Sequence, residues 1–224
     1  MDAVLKWIIT SLPTVFGWIV FAGALAWHFL RSRSALSERF GRYLSVRNLI
    51  VAAIGFSVAY AAFMTVAQYV AWSGNAFSRV FLTLPLSPDL PIGAVERLPW
   101  LFSSSLGYFI FYSWGRFWLG MLLSVGAAWV WWRILRVLRW KNEWFFEEGE
   151  PELGFVVALI VGWPKFVLFV PLVFVAVVLV SAFRLIVFKK RYTTLGFPFL
   201  VAGLLTLAFG PSLLTTLGLM VLKV

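Results

Sequence analysis

The sequence contains no cysteine and a single histidine, His28. Without thiols there is no disulfide, thiolate metal site or cysteine nucleophile. One histidine excludes a histidine-rich metal or haem centre, so neither a metal nor a cofactor is expected. Charge is equally scarce: charged residues make up 12% of the chain, against about 25% in soluble domains. Too few polar side chains remain to cover a water-soluble globule. Intrinsic disorder and nucleic-acid binding are excluded with it, because the net charge of +10 rests on only 19 Lys and Arg against 9 acids. Aspartate is nearly absent, with Asp2 and Asp89 the sole examples.

What the chain has instead is apolar surface, 62% hydrophobic residues and a mean hydropathy of +0.93. These values predict an all-α polytopic integral membrane protein, a single transmembrane domain over 1–224. Crossing a hydrocarbon core of roughly 30 Å takes about 20 apolar residues. On that measure the spans fall at about 7–30, 49–72, 106–132, 153–163, 166–188 and 195–222, the last broken at Gly210-Pro211. The first is too long for a signal-peptide core and lacks both a basic start and a small-residue cleavage site, so it reads as a retained span.

The region 153–188 decides the count. As one helix it would be about 54 Å long at 1.5 Å per residue, far more than a bilayer needs. Splitting it at Pro164-Lys165 gives six spans, with both termini outside. The inner loops 31–48, 133–152 and 184–194 then hold five, four and four Lys/Arg, while five lie outside at Lys6, Arg79, Arg97, Lys165 and Lys223. Basic residues collect on the cytoplasmic side, so this bias supports the six-span, N-out/C-out arrangement. The segment 153–163 is short for a crossing. Either it extends into the acidic stretch before it, or it is a re-entrant half-helix buried among its neighbours. The outer loop 73–98 contains Pro85, Pro88 and Pro91, which favour extended backbone over helix.

Many of the 13 tryptophans sit at span ends, as an interfacial aromatic belt requires. Arg133, Arg136 and Arg139 recur every three residues and form a basic face suited to anionic head groups at the bilayer surface. Arg116 is the one charge deep in an apolar run. Two readings stand for it: a functional intramembrane cation with a buried or partner acceptor, or a side chain that snorkels to the outer surface. The serines Ser103, Ser104, Ser105 and Ser124 lack both a nucleophile-elbow context and an activating histidine, which disfavours a serine protease. The densest polar feature comprises Glu143, Glu147, Glu148, Glu150 and Glu152. It reads either as a solvated loop balancing the arginines or as carboxylates held at the membrane edge, where low dielectric raises a pKa and two acids can share a proton.

Gly149-Glu150-Pro151-Glu152, followed by Val157-Ala158-Leu159-Ile160-Val161-Gly162-Trp163-Pro164, resembles the Gly-Asp-x-Lys segment and short helix of the prepilin peptidases. These are membrane aspartic peptidases that process type IV pilins and archaeal flagellins. The resemblance runs from Phe117 to Gly210, through the basic break Lys189-Lys190-Arg191 to Leu195-Gly196-Phe197-Pro198-Phe199-Leu200. It implies the cytoplasmic (inner) membrane of a prokaryote, the lipid bilayer as surroundings, and other membrane subunits or pilin-like proteins as partners. It also departs from the family at the chemistry. Glu150 stands where the second catalytic Asp belongs and Glu152 where the Lys belongs, and no Asp follows the first span. Glu38, the only acid of the first inner loop, is the remaining candidate for the other member of a Glu38/Glu150 dyad, eight residues past the span end. The sequence therefore points first to a non-catalytic subunit or assembly scaffold, a pseudoenzyme on this helical plan. An active prepilin leader peptidase is the alternative, and a transporter or channel subunit using Arg116 and the proline-broken helices the second alternative.

The charge bias places Ser34, Asn142 and Thr193 in the cytoplasm and Ser87 and Lys165 outside. In this cysteine-free chain, Ser87→Cys is expected to react with an impermeant maleimide in intact cells, and Ser34→Cys, Asn142→Cys and Thr193→Cys only after permeabilisation. Labelling of Asn142→Cys in intact cells would overturn the six-span topology.

Overall fold

The computed structural model describes residues 3–31, 45–86, 100, 103–141, 146–189 and 194–222. Among them the regular structure is entirely helical. We number the principal helices α1 (Ala3–Leu30), α2 (Val46–Ser73), α3 (Gly107–Lys141), α4 (Glu150–Val161), α5 (Phe166–Phe188) and α6 (Gly196–Thr216). All but α4 are long and apolar enough to cross a membrane. The chain is thus a helical membrane protein with five such helices and one that is too short.

That short helix organises the larger of two compact units, formed by 1–56 and 123–223. At 12 residues α4 is about 18 Å long. Pro151 in its first turn and acids at Glu150 and Glu152 suit a helix start, where a missing N–H is harmless and the macrodipole favours negative charge. Gly162, with φ +65°, ends it. Every residue of α4 is buried except Glu152 and Ile160, which are half-buried. Its neighbours approach on all sides. Gly154 faces Leu135 of α3 and Phe199 of α6, Phe155 meets Trp132 of α3, and Val157 faces Gly203 of α6. Phe21 of α1 closes over the same glycine. Trp131 of α3 sets its ring edge-on to Phe166, Phe169 and Phe199, which joins α3, α5 and α6 around α4. A helix hydrophobic all round belongs in the interior, and here the interior is made of the longer helices. The outer faces of those helices remain apolar, as at Val51 on α2 and Phe174 and Val178 on α5.

The second unit, 57–122, is an aromatic cluster. Trp72 lies within about 5.0–6.3 Å of Phe81, Tyr108, Phe109 and Tyr112, and the Trp118 indole N–H donates to the Thr65 hydroxyl at 3.1 Å. Between these anchors α3 passes through a π-helical turn at Trp114–Trp118, which carries Arg116.

Several boundaries differ from those read off the sequence. The helix expected over 106–132 runs on to Lys141, 35 residues in all, because the apolar stretch ends but its helix-forming arginines and leucines do not. Gly210-Pro211 does not break α6. Proline removes only its own N–H, the donor that would meet the Leu207 carbonyl, and the helix continues to Thr216 before a turn at Gly218 leads into a 3₁₀ turn, Leu219–Leu222. After α2, helical turns at Ala76–Arg79 and Val80–Leu82 precede the first proline of the following segment, with Asn75 capping the former. The fourth helix does reach back toward the acidic stretch, though only to Glu150, so it stays short.

The crossing of α4 and α6 has no spare volume, since a Cβ at Gly203 would stand 2.4 Å from Val157 Cγ1. Gly203→Leu is expected to destabilise the purified protein by about 1–3 kcal/mol, the usual range for overpacking. Gly126→Leu, where a Cβ meets nothing within 4 Å, should stay within about 0.5 kcal/mol of the parent. Thermal unfolding in detergent measures both.

Candidate functional site

The candidate site is the N-terminal end of α4. The chain enters it through Glu147-Glu148-Gly149. Gly149 has φ +82°, and a Cβ there would lie 2.8 Å from the Trp27 ring, so only glycine fits. The turn is held from α1. Arg31 donates to the Glu148 carbonyl and pairs with the Glu147 carboxylate, while its guanidinium lies 5.2 Å from the centre of the Trp27 ring. Glu147 and Glu148 are exposed.

Glu150 is different: it is 0% exposed. Its Oε1 accepts from the Gly196 N–H at 2.8 Å. Its Oε2 accepts from the Glu147 N–H at 3.0 Å and from the Leu195 N–H at 3.2 Å. The bond to Glu147 closes the turn Glu147–Glu150 that leads into α4. The other two reach across to α6, whose N-cap residue Leu195 offers no side-chain acceptor. A helix begins with orphan N–H groups that need acceptors, and for α6 Glu150 is the acceptor. The approach is close: a Cβ on Gly196 would stand 2.5 Å from Oε1 and 2.7 Å from His28 Cε1. His28 Nδ1 is sealed here with no hydrogen-bond partner among the described residues. Burial pushes the Glu150 carboxyl above its ordinary value of 4.5. The N–H donors of Glu147 and Gly196 act against it, the Glu147 charge adds to it, and a bond from Thr194 opposes it.

Glu152 faces the other way, toward α3. Its Oε1 lies 3.7 Å from the Arg136 guanidinium and accepts from the Trp132 indole at 3.5 Å, and Arg136 sits 4.2 Å from the Trp132 ring centre. Arg133 rests on Trp129 in the same manner at 5.1 Å. Of the basic face, Arg133 and Arg136 are exposed and Arg139 is half-buried. At the opposite end of α4, Gly162 donates to the Ala158 carbonyl, the Trp163 N–H donates to Ser124 Oγ at 2.8 Å, and the Trp163 indole donates to the Leu222 carbonyl at 2.8 Å. Burial also holds the Lys165 amine below its ordinary value.

Gly149, Glu150, Glu152 and Gly162 thus all lie on α4 or its caps. Glu38 lies outside the described residues. Arg116 belongs to the second unit, exposed beside a pocket with Tyr108, Phe111, Tyr112 and Gly115. The sequence reading passed over the link from Arg31 to the acidic turn and the backbone donors at Leu195 and Gly196. The spacing Trp27-x-x-x-Arg31, repeated at Trp129/Arg133 and Trp132/Arg136, was a usable signal, since residues four apart share a helix face. Nothing in the chain near Leu195 signals that a carboxylate will meet it. Comparison with protein-family models, curated proteins and solved structures finds no match for this chain.

A carboxyl raised by folding holds a proton that the unfolded chain has lost between pH 4.5 and its own higher value. The native state binds more protons there, so stability falls as pH rises through that window and is level on either side. Glu150→Gln should abolish this slope. At neutral pH it should cost about 1–3 kcal/mol, because an amide nitrogen cannot accept and at least one N–H is stranded. Glu150→Ala strands all three and should cost more. Thermal midpoints across pH 4–8, in the parent and both variants, give the comparison.

Proposed function

We propose that the chain is a non-catalytic subunit or assembly scaffold of the prokaryotic cytoplasmic membrane, on a prepilin-peptidase-like helical plan. In this reading both termini face outward, α4 is the short fourth span, and the partners are other membrane subunits or pilin-like proteins. One observation carries it: the carboxyl at the motif position is sealed from solvent, with both oxygens engaged by backbone N–H groups. Aspartic proteolysis needs two carboxylates that share a proton around one attacking water. With three backbone donors and the Thr194 bond the carboxyl has its four lone-pair directions taken, and releasing the donors would uncap α6. The acid two residues on, Glu152, is likewise engaged, by Arg136 and Trp132. Arg133, Arg136 and Arg139 leave the membrane on the extended end of α3, where they meet anionic head groups.

Co-expression with a prepilin, in a strain lacking its own peptidase, tests the reading. The prepilin is expected to keep its leader, and Glu150→Gln or Glu38→Gln to change nothing. A shortened product that disappears with Glu150→Gln would overturn the non-catalytic assignment, since loss of an essential group lowers turnover by orders of magnitude.

A further inference from the structure

Within the larger unit, α1, α5 and α6 enclose a second cavity, of about 570 Å³. That lies inside the range of roughly 300–1,000 Å³ typical of ligand pockets. Phe29, Leu179, Phe183 and Phe197 make its apolar lining, and among the described residues the polar side chains on it are His28 and Arg184. Phe29, Leu179 and Phe183 are 53–61% exposed, so the cavity opens on the outer surface of two membrane-crossing helices, which is the surface that meets lipid.

The charge in this cavity is unbalanced. Among the described residues Arg184 makes no ion pair, and no carboxylate lines the cavity. Among the described residues Glu147 is committed to Arg31 and Glu150 to backbone N–H groups. Arg31, also near His28, is balanced by Glu147, which leaves Arg184 as the cation at this cavity without an ion pair among the described residues. His28 sets its Cε1–Nδ1 edge against Gly196 and also lines the cavity. A guanidinium is costly in an apolar, lipid-facing position unless an anion accompanies it. The ligand this arrangement calls for has a long apolar tail and an anionic head.

We propose that the cavity binds one anionic phospholipid, its acyl chain along Phe29, Leu179, Phe183 and Phe197 and its phosphate on Arg184, with His28 as second donor. A choline head group would bring another cation beside Arg184, so net-anionic lipid is selected over zwitterionic. The site is separate from the basic face of α3 and does not depend on whether the chain is a catalyst or a scaffold.

The test uses the full chain in phosphatidylcholine nanodiscs doped with phosphatidylglycerol carrying a diazirine on one acyl chain. After illumination, cross-links should concentrate at residues 28–29, 179–183 and 197. Unlabelled phosphatidylglycerol should compete them away at least about tenfold more effectively than phosphatidylcholine, as expected for a charge-assisted hydrogen bond in a poorly hydrated site. Arg184→Gln should lower cross-linking there by a similar factor, while labelling at Phe174 and Val175 on the same helix stays unchanged. Equal competition by the two lipids, or labelling spread evenly over the helical surface, would overturn the proposal, as would undiminished labelling in Arg184→Gln. Competition on the unsubstituted protein decides the matter alone if that variant does not insert.

Discussion

Two helices begin at one carboxyl group. Glu150 holds the turn that leads into α4 through the Glu147 N–H and caps α6 through those of Leu195 and Gly196. Bringing two helix N-termini together places two positive dipole ends side by side, with orphan donors on each. In water such donors find partners anywhere. In an apolar interior every unsatisfied one costs free energy, and one acceptor-rich side chain between the two ends is a compact answer. The opposing influences on its proton follow from the same geometry, since burial favours the neutral acid while the donors favour the anion. The packing follows too, because the α4–α6 contact that buries Gly154, Val157 and Gly203 is reached only if these ends are aligned.

The short helix raises a second constraint. About 18 Å of helix does not cross a hydrocarbon core of roughly 30 Å, so both of its ends need protein partners. At one end these are Glu150 and Arg31. At the other, Ser124 and the Leu222 carbonyl receive the N–H groups of Trp163, and Gly162 turns the chain into α5. Irregular backbone at membrane depth is tolerated where protein surrounds it. The ring of α1, α3, α5 and α6 supplies that surrounding, and their outward faces are left apolar for lipid.

How much of this was legible in the sequence depends on whether a feature is local. Hydropathy located α1, α2 and α5 within a few residues, because a run such as Phe166–Phe188 carries its own signal. The split at Pro164 was legible for the same reason. The helical continuation from Arg133 to Lys141 was harder, because the apolar signal stops where the arginines begin. The role of Glu150 was not legible. Its partners are backbone groups 45 and 46 residues away, and Leu195 and Gly196 give no side-chain cue that they need an acceptor. The acidic run looked uniform, yet the fold separates it into exposed Glu147 and Glu148, sealed Glu150, and Glu152 on Arg136. Composition cannot distinguish these fates.

That separation bears on what the motif position is for. Glutamate is one methylene longer than aspartate, and from the first turn of α4 the Glu150 carboxyl meets Leu195 and Gly196 directly. Gly196 completes the arrangement, since any larger residue would collide with Oε1 and with the His28 ring. The two residues are therefore interdependent: the long acid requires the glycine, and an uncapped α6 requires the long acid. An acid held for nucleophile activation has the opposite requirement. It needs open lone pairs, a path for water and a second carboxylate, and it tolerates few backbone donors because they depress its basicity. Glu150, with both oxygens taken by backbone donors, meets the structural requirement.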